Sequence, residues 1–143
     1  MTILVTGGAG YLGSMLTTAL LQRGYNVRVL DNLMYGEEPL HGLESWSSFE
    51  LIKGDIRDMR TVVKALSGVD EVIHLASIVG DQAAGLEARS TIEINYLATR
   101  NLAELCNLYN VKRILYASTC SVYGESKEGM IMDESDSLEG GEG

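Results

Sequence analysis

Short apolar runs alternate along the chain with longer segments in which apolar residues recur three and four positions apart. The runs are rich in valine, isoleucine and leucine, which is typical of strands that helices cover on both faces. They occupy residues 3–6 (ILVT), 27–30 (VRVL), 49–52 (FELI), 71–76 (EVIHLA) and 113–118 (RILYAS). The pattern therefore predicts five buried parallel strands.

Segments with helical periodicity fill most of the gaps between these strands. They cover residues 11–24, 58–68 and 91–110. Residues 32–48 show no clear period and are expected to hold one short helix. Because strand, helix, strand units require parallel strands with right-handed crossovers, we predict an α/β protein with a doubly wound parallel sheet between two helix layers. The expected strand order is 3-2-1-4-5.

The negative charge of the chain is uneven. The net charge is −9 over 143 residues, and residues 125–143 carry −6 of it through seven acids and the single base Lys127. A chain without a Lys/Arg cluster lacks the positive surface of a nucleic-acid or anionic-membrane binder, so a small molecule is the expected partner. Helical periodicity fails after Tyr123. We expect one domain at residues 1–124 and an irregular acidic tail at 125–143.

The sequence does not predict export, membrane insertion or a metal site. Its start, MTILVTGGAG, has no basic region before the short apolar run, unlike a signal peptide. No apolar run approaches the roughly 18 residues of a membrane span. Cys106 and Cys120 are the only cysteines, too few for a disulfide framework and without metal-ligand spacing. A cytoplasmic protein is expected.

A glycine-rich motif follows the first predicted strand and opens the first predicted helix. Gly8, Gly10 and Gly13 fit G-x-G-x-x-G, and Gly7, Gly10 and Gly13 fit T-G-x-x-G-x-x-G. Without side chains, the backbone can turn sharply and approach a pyrophosphate, whose charge the helix N-terminal amides stabilise. The alternative interpretation is an ordinary tight turn.

Asp31 closes the second predicted strand, 18 residues after Gly13. An acid there accepts hydrogen bonds from the adenosine ribose hydroxyls and repels a 2′-phosphate, which favours NAD over NADP. Arg28 is a reservation about this choice, because a nearby arginine can accommodate a 2′-phosphate. Strand alternation, however, turns Arg28 away from Asp31. The alternative role of Asp31 is a strand-end cap.

The segment 54–58, Gly-Asp-Ile-Arg-Asp, follows the third predicted strand. It should lie at the carboxyl edge of the sheet, where a nucleotide across the switch point would meet it. Asp55 is then a candidate acceptor for the adenine amino group, and Asp58 a cap for the next helix. Taken alone, Asp55 is equally well a turn residue.

Six sequence motifs occur in the same order and at the same spacing as in a known protein family. They are TGGAGYLGS, DNL, GDIRD, IHLAS, the helix that contains Asn95, and YASTCSVYG. Through them, residues 2–124 closely resemble the extended short-chain dehydrogenases/reductases of the NAD-dependent epimerase/dehydratase type that act on nucleotide sugars. The resemblance implies a Rossmann fold, an oxidoreductase activity, NAD as the cofactor and a nucleotide sugar as the substrate.

The resemblance also assigns roles to residues. The pyrophosphate would lie against Tyr11 and Leu12, the adenosine ribose against Asp31 and Asn32, adenine against Asp55 and Ile56, and the nicotinamide side against Leu75, Ala76 and Ser77. Asn95 corresponds to a helix asparagine near the cofactor. The alternative interpretation is that Asn95 is a polar residue inside the helix whose side chain is hydrogen-bonded to the backbone. Thr119 stands where the family has the catalytic Ser/Thr that polarises the substrate. By the same resemblance, His74 is expected to be a core histidine.

The family's acid/base is a Tyr-x-x-x-Lys pair on one helix face, in which the lysine lowers the pKa of the tyrosine. By the family's spacing from Thr119, it would fall just after Gly143. Tyr123 and Lys127 match the pattern literally, but they follow Thr119 too closely, and Gly124 is a poor start for an active-site helix. We therefore expect the chain to bind NAD without completing catalysis alone. The alternatives are a non-catalytic NAD-binding or redox-sensing module, and an enzyme completed by a second subunit or by Tyr123.

The fifth predicted strand has no sixth strand after it. An apolar parallel strand at a sheet edge invites pairing, so we expect the rest of a longer protein, the acidic tail or a second subunit, for example in a homodimer, to cover it. Cys120 and Ser121 are expected to be packing residues and not nucleophiles.

The sequence does not identify the sugar, because members of the family bind the sugar mainly outside this region. Only the surroundings of Thr119 and the loop GDQAAG (80–85) would face it.

Overall fold

The computed structural model describes residues 1–79 and 88–119. Five strands form one sheet in the order β3-β2-β1-β4-β5, and each adjacent pair is parallel. The strands are β1 (Thr2–Thr6), β2 (Asn26–Asp31), β3 (Phe49–Lys53), β4 (Glu71–His74) and β5 (Arg113–Tyr116). The predicted strands and their order are confirmed.

In the described part of the chain, three helices lie between consecutive strands. Helix α1 (Tyr11–Gln22) follows β1, and α2 (Met59–Leu66) follows β3. Helix α3 covers residues 88–108 in three consecutive segments, which are α-helical at Ala88–Thr91, π-helical at Ile92–Ala98 and α-helical at Thr99–Leu108. The three predicted helices are confirmed within three residues at each end, but the π-helical segment was not predicted.

The prediction of one short helix between β2 and β3 is wrong. Two separate 3-10 turns, Glu38–Leu40 and Leu43–Ser45, lie there instead. Gly42 between them has a φ of +86°, a left-handed conformation that glycine adopts readily and that interrupts a right-handed helix. Leu40 and Leu43 still bury their side chains in the core.

Apolar side chains pack on both faces of the sheet. Leu4 of β1 belongs to a cluster that includes residues of α2 and α3. The next residue, Val5, belongs to a second cluster that includes Leu21 of α1 and the two 3-10 turns. Because successive strand residues point to opposite faces, the sheet lies between two helix layers. The predicted three-layer architecture is confirmed.

Strand β5 lies at one edge of the sheet. Ile114, Leu115 and Tyr116 are 41%, 52% and 53% exposed, and among the described residues only β4 pairs with this strand. The predicted acidic tail, 125–143, lies outside the described residues, so the covering of this edge stays a prediction. In the described part of the chain, no helix has the length and apolar character needed to span a membrane.

Candidate functional site

A cleft of about 530 Å³ opens at the carboxyl ends of the central strands. It spans the point where the strand order reverses between β1 and β4, which is where open α/β sheets bind ligands. Most of the predicted site residues line it. They are Gly7, Gly10, Tyr11, Leu12, Gly13, Asp31, Asn32, Asp55, Ile56, Leu75, Ala76 and Ser77.

The glycine-rich loop passes too close to its neighbours to carry side chains. Gly7 has a φ of +73°, and a Cβ added there would lie 2.7 Å from the backbone nitrogen of Ala76. A Cβ on Gly13 would collide with the carbonyl oxygen of Gly7. Gly10 is the N-cap of α1 and makes no side-chain capping bond, so the first amides of α1 can receive an anion. The loop thus has the close backbone approach that a pyrophosphate site requires.

Asp31 joins this loop to the end of β2. Its Oδ2 accepts a hydrogen bond from the backbone N–H of Ala9 at 2.9 Å, and its Oδ1 accepts one from that of Leu33 at 2.8 Å. The strand-end role considered as an alternative is therefore present. It is compatible with ribose binding, because each carboxylate oxygen has a second lone pair for another donor.

Arg28 points away from the cleft, as strand alternation predicted. Its Nε donates to Glu50 at 2.7 Å, and its Nη1 donates to the backbone carbonyls of Ala65 at 2.8 Å and Ser67 at 2.7 Å. These carbonyls lie at the end of α2, where a cation is favourable. The reservation that Arg28 could accommodate a 2′-phosphate is thereby removed.

Asp55 lines the cleft and is also paired within its own loop. Its Oδ1 accepts from the backbone N–H of Arg57 at 2.8 Å, and its Oδ2 accepts from Arg57 Nη2 at 2.6 Å. The hydrogen bonds from the Arg57 guanidinium hold the pKa of the Asp55 carboxyl below its usual value. Arg57 in turn contacts Glu93 of α3 at 3.2 Å. Asp55 therefore has the turn role considered as an alternative, and it stays ionised near neutral pH.

Asp58 caps α2, as predicted. Its Oδ1 accepts from the backbone N–H of Arg60 at 3.0 Å, and its Oδ2 accepts from the Thr61 hydroxyl at 2.6 Å. This cap fixes the start of the helix that follows the loop 54–58.

Two predicted site residues do not line the cleft. The Asn95 side chain instead holds the backbone of Ile78, accepting from its N–H and donating to its carbonyl, both at 2.8 Å. The interpretation of Asn95 as a polar group satisfied by backbone thus describes its observed contacts. Thr119 follows Ala117 and Ser118, which do line the cleft, and is itself exposed.

The sequence reasoning missed several lining residues. They are Ala9, Leu30, Met34, Tyr35, Gly36, Gly54, Ile78, Val79, Ile94, Ala117 and Ser118. Met34 and Tyr35 are 58% and 82% exposed. Met34 and Tyr35 could have been predicted from the sequence, because they follow β2. The loops after the central parallel strands all lie at the same edge of the sheet, where ligands bind.

His74 is a core histidine, as expected. Its side chain is 1% exposed, its ring is hydrogen-bonded to Thr6 and Thr99, and burial lowers its pKa to about 4.

Burial raises the pKa of the Cys106 thiol to about 11, which leaves the thiol protonated and unreactive near neutral pH. In the described ranges, no three His, Cys, Asp or Glu side chains group to hold a metal. Cys120, Ser121, Tyr123, Lys127 and the loop 80–85 lie outside the described residues.

The free energy of unfolding is expected to fall as the pH is lowered from 6.5 towards 4. The His74 pKa is about 4 in the folded chain, against 6.5 for an unperturbed histidine such as one in the unfolded chain. Between these values the unfolded chain binds a proton that the folded chain excludes, so acid favours unfolding by up to about 3 kcal/mol. Urea denaturation at several pH values measures this slope. His74→Gln should flatten it, and an equally steep slope in that variant would contradict the assignment.

A family model for the NAD dependent epimerase/dehydratase family matches residues 3–141. The chain belongs to this family. The resemblance stated from the six motifs is thereby confirmed.

Two relatives are named for activities on sugars linked to nucleoside diphosphates. A UDP-N-acetyl-alpha-D-glucosaminuronate decarboxylase of Bacillus cytotoxicus is 34% identical over 131 residues, which cover 92% of this chain and 40% of the relative. A CDP-paratose 2-epimerase of Salmonella typhi is 36% identical over 133 residues, which cover 90% of this chain and 39% of the relative. The chain thus spans about 40% of the length of these relatives.

Solved structures share the fold. UDP-glucose 4-epimerase of Thermus thermophilus, in complex with NAD, superposes with a TM-score of 0.85 at 33% identity, covering 96% of this chain and 44% of that chain. UDP-glucuronic acid 4-epimerase of Bacillus cereus, also with NAD, gives a TM-score of 0.79 at 34% identity, covering 88% and 42%. Both of these structures contain the cofactor that the family description names.

Proposed function

We propose that this chain is the NAD(H)-binding part of a nucleotide-sugar epimerase/dehydratase-type oxidoreductase and that it does not complete catalysis alone. The observation that carries NAD binding is the hydrogen bond from Ala9 of the glycine-rich loop to Asp31. It makes the pyrophosphate loop and the ribose acceptor one connected unit beside the cleft. The NAD complexes of the structural relatives support the same cofactor.

The described residues fit NAD along the whole cleft. The pyrophosphate would lie on the glycine-rich loop and on Tyr11 and Leu12, where added Cβ atoms at Gly7 and Gly13 have no room. We assign the ribose to Asp31 and Asn32, adenine to Asp55 and Ile56, and the nicotinamide side to Leu75, Ala76 and Ser77, all of which line the cleft. Asn95 would shape that side through Ile78. Bound NAD supplies hydride transfer to or from a sugar carbon.

We assign to Thr119 the polarisation of the substrate hydroxyl or carbonyl. The proton transfer that accompanies hydride transfer needs a further acid/base, which we place in a Tyr-x-x-x-Lys pair outside this chain. The length of the relatives is consistent with this placement. Sugar binding, and with it the choice among epimerase, dehydratase and reductase, would also belong to that part of the enzyme.

An NMR titration of the 143-residue chain with NAD tests the proposal. The amide signals of Gly7, Ala9, Gly13 and Leu33 should shift together and saturate, because they belong to the loop and to Asp31. Addition of UDP-glucose to the NAD-loaded chain should give no epimerised or dehydrated sugar. Shifts confined to other surfaces would contradict the proposed site. Turnover by the pure chain would contradict the claim that it cannot complete catalysis.

Adenine recognition by Asp55 has its own test. Oδ2 of Asp55 keeps a lone pair beyond its bond to Arg57, so it can accept from the adenine amino group. The NAD analogue with hypoxanthine in place of adenine lacks this amino group and should bind about tenfold more weakly, the loss expected for one charge-assisted hydrogen bond. Competition calorimetry measures the ratio. Asp55→Asn should reduce the discrimination, whereas an unchanged ratio in that variant would assign Asp55 to the turn alone.

A further inference from the structure

The π-helical segment of α3 and the residue after it make hydrogen bonds to β4 and to the chain that follows β4. Such segments are rare and occur frequently at functional sites. Asn95, within it, binds the backbone of Ile78. Thr99, the residue that follows the segment, places its hydroxyl 2.8 Å from Nε2 of His74. Both anchors lead to the chain segment that forms the nicotinamide side of the cleft.

His74 lies in the middle of a buried hydrogen-bond chain. Its Nδ1 is 2.6 Å from the Thr6 hydroxyl, and its Nε2 is 2.8 Å from the Thr99 hydroxyl. Thr6 is 0% and His74 1% exposed. Burial lowers the pKa of the ring to about 4, so at neutral pH it has one N–H donor and one bare nitrogen acceptor.

The two ends of this chain determine which nitrogen carries the proton. At one end, the backbone N–H of Ala76 donates to the Thr6 hydroxyl oxygen at 3.4 Å, and the Thr6 hydroxyl can donate its own proton to Nδ1. At the other end, the Thr99 hydroxyl donates to the carbonyl oxygen of Ile94 at 3.5 Å. Its oxygen then accepts from Nε2–H. With this direction every donor in the chain meets an acceptor.

We propose that His74, as the Nε2–H tautomer, is a positioning residue that couples the segment after β4 to the π-helical turn of α3. The proposal rests on the proposed NAD site, because Ala76 at one end of the chain and Ile78, held by Asn95, line its nicotinamide side. The Thr99 hydroxyl reaches the carbonyl oxygen of Ile94, five residues back, across the π-helical segment. Without that link, α3 relaxes to ordinary α-helical register, and a one-residue shift turns Asn95 by about 100° away from Ile78.

The test compares Thr99→Val with Thr99→Ser in the full chain. Valine keeps the shape of the side chain and removes the hydroxyl, whereas serine retains it. Thr99→Val should move the Ile78 amide signal and weaken NAD binding about tenfold, a loss of about 1.4 kcal/mol. Thr99→Ser should keep the wild-type signal and the wild-type affinity. Equal behaviour of the two variants would overturn the coupling.

The ring nitrogen signals of His74 give a second and independent result. The wild-type chain should show the Nε2–H tautomer in a long-range ¹H–¹⁵N spectrum at pH 7, and Nδ1–H would overturn the proposal. This measurement holds even if Thr99→Val fails to fold. It also separates the two proposals: a chain that does not bind NAD but shows Nε2–H and a hydroxyl-dependent Ile78 signal would refute the cofactor site and leave the coupling supported.

Discussion

Gly7→Ala is expected to abolish measurable NAD binding and to destabilise the fold by about 3 kcal/mol. Gly7 has a φ of +73°, a left-handed conformation that a side chain disfavours. In addition, the new Cβ would lie 2.7 Å from the nitrogen and 2.8 Å from the Cα of Ala76. These neighbours are backbone atoms and not the flexible end of a side chain, so the glycine-rich loop or the chain at the end of β4 must shift. Either shift deforms the cleft.

Gly24→Ala is the matched control for this variant. Gly24 ends α1 with a similar φ of +82°, but nothing lies within 4 Å of its added Cβ. Gly24→Ala should therefore lower the free energy of unfolding only by the penalty for a side chain at positive φ, about 1 kcal/mol, and leave NAD affinity unchanged. Urea denaturation and calorimetric NAD titration measure both quantities. If the two variants lost the same stability and bound NAD equally, the close packing of the glycine-rich loop would not matter for the site.

Asp31→Asn is expected to weaken NAD binding by at least about tenfold and to narrow the preference for NAD over NADP. The carboxylate accepts from the N–H groups of Ala9 and Leu33 with its two oxygens. An amide keeps one oxygen and presents an NH₂ group to the other N–H, so one bond becomes a donor–donor contact. The negative charge that repels a 2′-phosphate is lost as well. Titration with both dinucleotides measures the change.

Arg28→Met is the control for the charge on the same strand. Arg28 is held by Glu50 and by the carbonyls at the end of α2. Its loss should lower stability and leave the affinities for NAD and NADP unchanged. A large drop in NADP affinity in this variant would show that Arg28 reaches the ribose and would contradict the assignment of selectivity to Asp31.

The sheet could be predicted because strands buried on both faces leave continuous apolar runs, as in ILVT and VRVL. The cleft could be predicted because glycine spacing and the position of Asp31 reflect local backbone requirements. These features depend on residues close together in sequence or on a general rule of parallel sheets. The family resemblance then assigned roles to single residues within that frame.

The contacts of Asn95 could not be predicted in the same way. Apolar periodicity over a seven-residue segment does not distinguish a π-helix from an α-helix, and the form adopted here accompanies a bond between Thr99 and His74, 25 residues apart. The pairing of Asp55 with Arg57 likewise depends on side-chain conformation. The two 3-10 turns were within reach of prediction, since Gly42 lies inside the segment 32–48, where a single short helix was expected.

Calorimetric titration of the 143-residue chain with NAD, and separately with NADP, measures whether the glycine-rich loop and Asp31 form an NAD-selective site. We expect saturable binding of one NAD per chain at pH 7, with NADP weaker by at least about tenfold because of the Asp31 charge. Absence of NAD binding by a folded chain, or equal binding of the two dinucleotides, would contradict this expectation.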